Sequence, residues 1–183
     1  MTDWRTLPQA TTEERLLTIG PPLVFRPLEK TDGPLLADFY ATLSEADKVY
    51  FAPHPLDDEH AERLALEAEA PGQITIVAVQ QCDECGQTLL AGYIYIRDSG
   101  PDKPWWLGVC VRPGYRSHGV GRALFEHLFQ VAKAAGIGSI GLNMHCQNAR
   151  ALHLYQKMGF RILDEFINPH DGLPQYNMVK DLS

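Results

Sequence analysis

Three things are scarce in this chain: long apolar runs, basic residues and cysteine. No stretch of the 183 residues approaches the roughly 20 apolar positions that a membrane-spanning helix needs. The first residues, Met1-Thr2-Asp3-Trp4-Arg5, lack the basic-then-apolar layout of a secretory signal. Both absences lead to the expectation of a cytoplasmic protein with no membrane partner. Lysine and arginine number 16 against 23 acidic residues, for a formal net charge of −7. A nucleic-acid binder normally shows a basic stripe, so no nucleic-acid partner is expected, whereas a cationic amine suits the acidic balance. Of the four cysteines, Cys82 and Cys85 form a C-x-x-C beside Gly86, while Cys110 and Cys146 are single residues in strand-like segments. A four-ligand zinc site would need a second pair. No metal is therefore expected, and the C-x-x-C reads as a polar hairpin turn.

What is present is the composition of one globular domain, with 45% hydrophobic and 21% charged residues. Residues 1–20 are polar, with one helical turn at 12–17, and read as an N-terminal extension. Residues 21–183 read as a single domain. A first strand is expected at 23–28. A helix follows, capped by Thr31 or Asp32 and carrying Leu35, Leu36, Phe39, Tyr40 and Leu43 on one face. A second helix is expected over about 57–70. Between them, Pro53-His54-Pro55 fixes an extended loop. Segments 74–79 and 89–96 are rich in β-branched and aromatic residues and read as a hairpin. The next strand, 105–111, has Gly108 in its middle, which points to a bulge or a close approach.

Just past that strand comes Pro113-Gly114-Tyr115-Arg116-Ser117-His118-Gly119-Val120-Gly121-Arg122. A helix follows, with Val120, Leu124, Leu128, Val131 and Ala135 on its buried stripe and Gly136 closing it. A glycine turn feeding a helix N-terminus gathers backbone N–H groups and positive potential at one point, which suits a phosphate. A lysine-bearing phosphate loop is excluded, because Val120-Gly121 stands where Lys-Ser/Thr would be. A three-glycine dinucleotide turn is excluded by Leu124. What remains is R-x-x-G-x-G. Downstream, a strand at 139–146 leads to Asn148, a good N-cap, and to Ala151, Leu152, Tyr155 and Met158 at helical spacing. Gly159 fits a helix end, and strands at 160–167 and 176–180 flank a long loop.

Residues 111–124, together with Asn148, Ala151, Leu154-Tyr155 and Gly159-Phe160, resemble the two signatures of the GCN5-related N-acetyltransferase family. The resemblance implies an α+β fold: a mixed, mostly antiparallel sheet of about seven strands, flanked by about four helices, with splayed middle strands. It implies an N-acetyltransferase that uses acetyl-CoA as acyl donor, without metal, on a primary amine of a small molecule or protein. The turn at Arg116, Ser117, His118, Gly119, Val120, Gly121 and Arg122 would hold the pyrophosphate, with Asn148 at the start of the next helix. The backbone of Val109, Cys110 and Val111 would pair with the pantetheine arm, and Tyr155 would protonate the leaving thiolate. Relatives often form dimers, which extends the expectation to a homodimer.

The general base departs from the family pattern. Strand 105–111 has no acid, and Asn143 stands where the ribosomal-protein alanine acetyltransferase branch carries a glutamate. His145, two residues on and so on the same strand face, has an ordinary pKa suited to a base. Asp98 is a weaker alternative. His54 and Asn143 are candidate acceptor contacts. A second reading is an acyl-CoA-binding sensor or partner module that has lost catalysis. The missing glutamate favours it, and the retained Tyr155 speaks against it.

Overall fold

The computed structural model describes residues 22–51, 53–81 and 86–182. The expected extension at 1–20, its helical turn and the Cys82/Cys85 turn lie outside these residues.

Seven strands form one sheet in the order β1-β2-β3-β4-β5-β7-β6. They are β1 (Leu23–Pro27), β2 (Gln73–Gln81), β3 (Thr88–Arg97), β4 (Trp105–Val111), β5 (Ser139–His145), β6 (Arg161–Ile167) and β7 (Pro174–Asp181). Every pairing is antiparallel except β4 with β5, which is parallel. Among the described residues there are five α-helices: α1 (Gly33–Ala41), α2 (Glu45–Tyr50), α3 (Asp58–Leu66), α4 (Val120–Ala134) and α5 (Ala149–Lys157). The mixed, mostly antiparallel seven-stranded sheet agrees with the expected architecture, with five helices where about four were expected.

Two apolar cores sit on opposite faces of the sheet. On one, α4 packs Val120, Leu124, Phe125, Leu128 and Val131 against Phe25, Ile76, Ile94, Leu107 and Leu142. On the other, α1 and α3 bring Leu36, Phe39, Tyr40, Ala61 and Leu64 onto Val77, Leu90, Tyr93, Tyr95 and Cys110. Strands β2 and β3 are covered on both sides, which is why they read as near-continuous apolar runs rather than alternating ones. Burial of each large aliphatic or aromatic side chain in these cores contributes about 1.5–3 kcal/mol.

Three local expectations are revised. An additional helix, α2, stands between the two early helices. Ser44 caps it by accepting from Asp47 N–H, while the Asp47 carboxylate accepts from Ser44 N–H. The helix expected at about 57–70 ends at Leu66, and its N-cap is Asp57. Gly108 causes no bulge: β4 pairs with β3 in unbroken register, Tyr95 opposite Gly108. The irregularity lies one strand away, where Ala78 pairs with Gly92 and Val79 with Leu90, leaving Ala91 as the extra residue. The Ala91 carbonyl accepts from Arg112 N–H instead. Gly108 is needed for close approach, because a Cβ there would collide with the Tyr95 ring.

Candidate functional site

The parallel ladder between β4 and β5 consists of only Trp105 opposite Ile140 and Trp106 opposite Gly141. Beyond that point β5 stays paired with β7 through His145, and β4 stays paired with β3 through Val111. A gap therefore opens between Leu107–Val111 and Leu142–His145. Arg112 N–H bonds to β3, so strand alternation turns the peptide groups of Val109 and Val111 into the gap. The Val111 carbonyl accepts from Arg116 Nε there at 3.0 Å. Cys110 is buried in the core beneath α1 and α3, where burial pushes its thiol up to about 12.

At the wide end of the gap lies the glycine turn. Ser117 and Gly119 both take left-handed backbone, with φ of 66° and 87°. That alternation gathers successive N–H groups to one side. The His118 ring Nδ1 donates to the Arg116 carbonyl at 2.7 Å, holding the turn closed. Gly119 is the N-cap of α4 and supplies no side-chain cap; the first intrahelical bond in this turn runs from Ala123 N–H to its carbonyl. The N–H groups of Val120, Gly121 and Arg122 are thus left over, as at any helix start, and available to an anion. Gly121 has a packing reason as well: a Cβ would come within 3.3 Å of Leu154 on α5. The Arg122 side chain turns away to Glu126, so at this site it offers its backbone.

Arg116 Nη1 donates to Asp47 Oδ1 at 2.6 Å, tying α2 to the turn. Burial pushes the Asp47 carboxyl up, but hydrogen bonds from Arg116 and Ser44 outweigh it and hold the group below its ordinary value. Arg150, in the first turn of α5, is pushed below its ordinary value by burial and then by Arg116. The Arg116 and Arg150 guanidinium groups thus share one neighbourhood with Asp47. Asn148 caps α5, its Oδ1 accepting from Ala151 N–H at 3.1 Å.

Tyr155 on α5 packs its ring at 5.9 Å from both Phe125 and Phe160, on the α4 face of the sheet. Its phenol nevertheless interacts with the Cys110 thiol and the Tyr95 phenol, which belong to the opposite face. Burial first, and then those two neighbours, push its pKa well above the ordinary value, so the hydroxyl keeps its proton. It makes no hydrogen bond among the described residues.

Asn143 and His145 share one face of β5, as alternation requires. Asn143 is exposed, and His145 is 8% exposed. His145 Nε2 lies 3.2 Å from Gln175 Nε2 and 3.5 Å from Asp171 Oδ2, and its ring meets Tyr50 edge-on at 5.6 Å. Asp171 belongs to the long loop before β7, which thus reaches the end of β5. His54 stands apart from these groups, against Tyr40 and His60. Asp98 is engaged in a turn, accepting from Gly100 N–H.

Asp47, Arg150, Tyr95 and Asp171 were not among the candidates read from sequence. The capping-box spacing Ser44-x-x-Asp47 was a usable signal for α2, but nothing local pairs Asp47 with Arg116. The gap, the N–H groups left over at the start of α4 and the buried, protonated Tyr155 phenol on α5 can together hold an anionic thioester and receive its leaving group.

Residues 37–160 match the profile of the Acetyltransferase (GNAT) family. The [ribosomal protein bS18]-alanine N-acetyltransferase of Escherichia coli K12 is 36% identical over 59 residues, 32% of this chain and 40% of that protein. The chain thus aligns with about two fifths of the length of that relative. A GNAT-family acetyltransferase from Streptococcus pneumoniae superposes with a TM-score of 0.70 at 26% identity, covering 88% of this chain and 99% of that one. A Salmonella typhimurium protein solved with its cofactor acetyl-CoA superposes with a TM-score of 0.69 at 20% identity, covering 88% and 94%. With a profile match over most of its length, a shared sheet and the splayed gap in place, this chain belongs to the GNAT acetyltransferase family.

Proposed function

We propose that the protein is an acetyl-CoA-dependent N-acetyltransferase acting on a primary amine of a small molecule or protein. The observation that carries this reading is the Tyr155 phenol, kept protonated by burial and electrostatically coupled to Cys110 of β4. A module that only binds the donor has no use for such a group.

Acetyl-CoA would supply an activated acyl group on a good leaving thiolate. The pyrophosphate would sit on the N–H groups of Val120, Gly121 and Arg122, within reach of Arg116 and Arg150. The pantetheine arm would pair with the inward peptide groups of Val109 and Val111 as an added strand. A β4 N–H aimed at the thioester oxygen would stabilise the charge that develops there as the amine adds. As the C–S bond breaks, the sulfur takes its electron pair and Tyr155 supplies the proton. His145, on the Asn143 face of β5, is the group proposed to take the proton from the attacking amine, with the Asp171 carboxylate 3.5 Å from its Nε2.

The second reading, a catalytically silent acyl-CoA sensor, is favoured by one observation: β5 carries the amide of Asn143 and no carboxylate. Release of free thiol from acetyl-CoA across a panel of primary amines separates the two. Amine-dependent release is expected. Tight acetyl-CoA binding by calorimetry without release from any amine would establish the sensor.

A further inference from the structure

Arg26, Arg112, Arg116, Arg122 and Arg161 each pair with a carboxylate. Arg63 and Arg97 pair with none among the described residues, although the chain carries a net charge of −7 and has carboxylates to spare. The two meet in one cleft between α3 and the end of β3. Its remaining walls are His54, His60, Leu64 and Glu67, and it encloses about 100 Å³. That exceeds the roughly 10–15 Å³ a single water needs, and a carboxylate or phosphate group fits.

The donors the cleft offers an anion are the two guanidinium groups, which His54 joins only when its ring is protonated. His54 Nδ1 donates to the Pro55 carbonyl at 2.7 Å, so its Nε2 carries the lone pair, and that atom is buried without a partner. The ring stacks on His60 at 5.8 Å with an interplanar angle of 6°. Burial, and then the charges of Arg97, His60 and Arg63, lower the pKa of His54, so at neutral pH the positive charge here belongs to the two arginines. Glu67 is the one acid in the lining, and it reaches neither guanidinium. A guanidinium fork matches carboxylate and phosphate oxygens two at a time.

The cleft also leads somewhere. Arg97 lies over the Tyr95 ring, 5.0 Å from its centroid. That ring in turn crosses Gly108 of β4, on the face that carries Cys110. One side chain, Tyr95, therefore separates the cleft from the proposed site of acyl transfer.

We infer that the Arg63–Arg97 cleft holds an anionic group of the acceptor, so that the preferred substrates are primary amines that also carry a carboxylate or phosphate. This rests on the N-acetyltransferase reading. The amine end would extend along Tyr95 into the gap, while the anionic end is gripped about one ring's length away.

The test is a matched panel in the thiol-release assay: β-alanine and O-phosphoethanolamine against β-alaninamide and ethanolamine. A peptide pair, Ala-Glu-Ala-amide and Ala-Gln-Ala-amide, represents protein acceptors. The wild-type protein is expected to favour the acidic member of each pair in kcat/KM by about tenfold or more, the effect of a hydrogen bond to a charged group. Arg63→Gln and Arg97→Gln should each abolish that preference while leaving neutral acceptors and acetyl-CoA affinity within about twofold. Equal use of both members, or a preference that survives in both variants, overturns the inference. A second measurement does not depend on turnover: the imidazole NMR signals of His54 and His60, followed in the CoA-saturated protein during titration with β-alanine or inorganic phosphate. A saturable shift with an upward move of the His54 pKa, lost in both variants, supports the cleft even if no amine is acetylated, in which case the transferase reading alone fails. Absence of any saturable shift overturns the cleft as an anion site. The two acids also separate carboxylate from phosphate recognition.

Discussion

At the scale of single residues, the proposed chemistry depends on protons whose positions burial decides. Tyr155→Phe keeps the ring that packs on Phe125 and Phe160 and removes only the hydroxyl. Turnover is expected to fall by about 10²–10⁴-fold, the worth of a positioned general acid, with acetyl-CoA affinity by calorimetry nearly unchanged. Unaltered turnover would end the acid assignment. His145→Gln should lower turnover by a similar factor with acetyl-CoA affinity nearly unchanged, and unaltered turnover would exclude His145 as base. Both residues were candidates from the sequence, Tyr155 through the family resemblance and His145 by alternation from Asn143. Asp171 was not, because it reaches His145 only through the fold of the loop before β7.

At the scale of elements, Gly108 shows how a correct local observation needs a tertiary explanation. A glycine inside a strand announces that something comes close, and here it is the Tyr95 ring rather than a bulge. Gly108→Ala is expected to destabilise the protein by about 1–3 kcal/mol in denaturant unfolding, as overpacking does. In a Tyr95→Ala background the same change should cost far less, and an undiminished cost would show that the ring is not the obstacle. Most elements were readable from sequence because each had its own local marker. Examples are β-branched runs for β2 and β3, Asn148 for the start of α5, and left-handed glycines at 119, 136 and 159. Helix α2 was missed because six residues give too little periodicity to register, even with its capping box in view.

At the scale of the whole molecule, the two cores stabilise one sheet from both sides, and the acid limit of that stability can be worked out. His54 and His127 are both held below the ordinary histidine value, burial being the first cause in each. The unfolded chain therefore takes up protons first as pH falls. Their contribution is complete above about pH 6.5 and declines as pH drops toward the folded-state values. Unfolding free energy should begin to fall below neutrality, and His127→Gln should flatten that decline. A pH dependence identical to wild type would remove His127 from the account. The sheet itself is close to two half-sheets, β1–β4 and β5–β7, joined by two residue pairs of parallel ladder. Helix α2 spans the open side of that seam, with Asp47 fastened to the turn after β4 and Tyr50 resting on the last residue of β5. A helix this short has little stability of its own, so its order is lent by both halves at once. It is thereby a built-in gauge of seam width. Hydrogen exchange at 45–50 should slow or quicken whenever the donor's arm changes the spacing of the two strands, and should stay constant if the halves keep their distance when the donor binds.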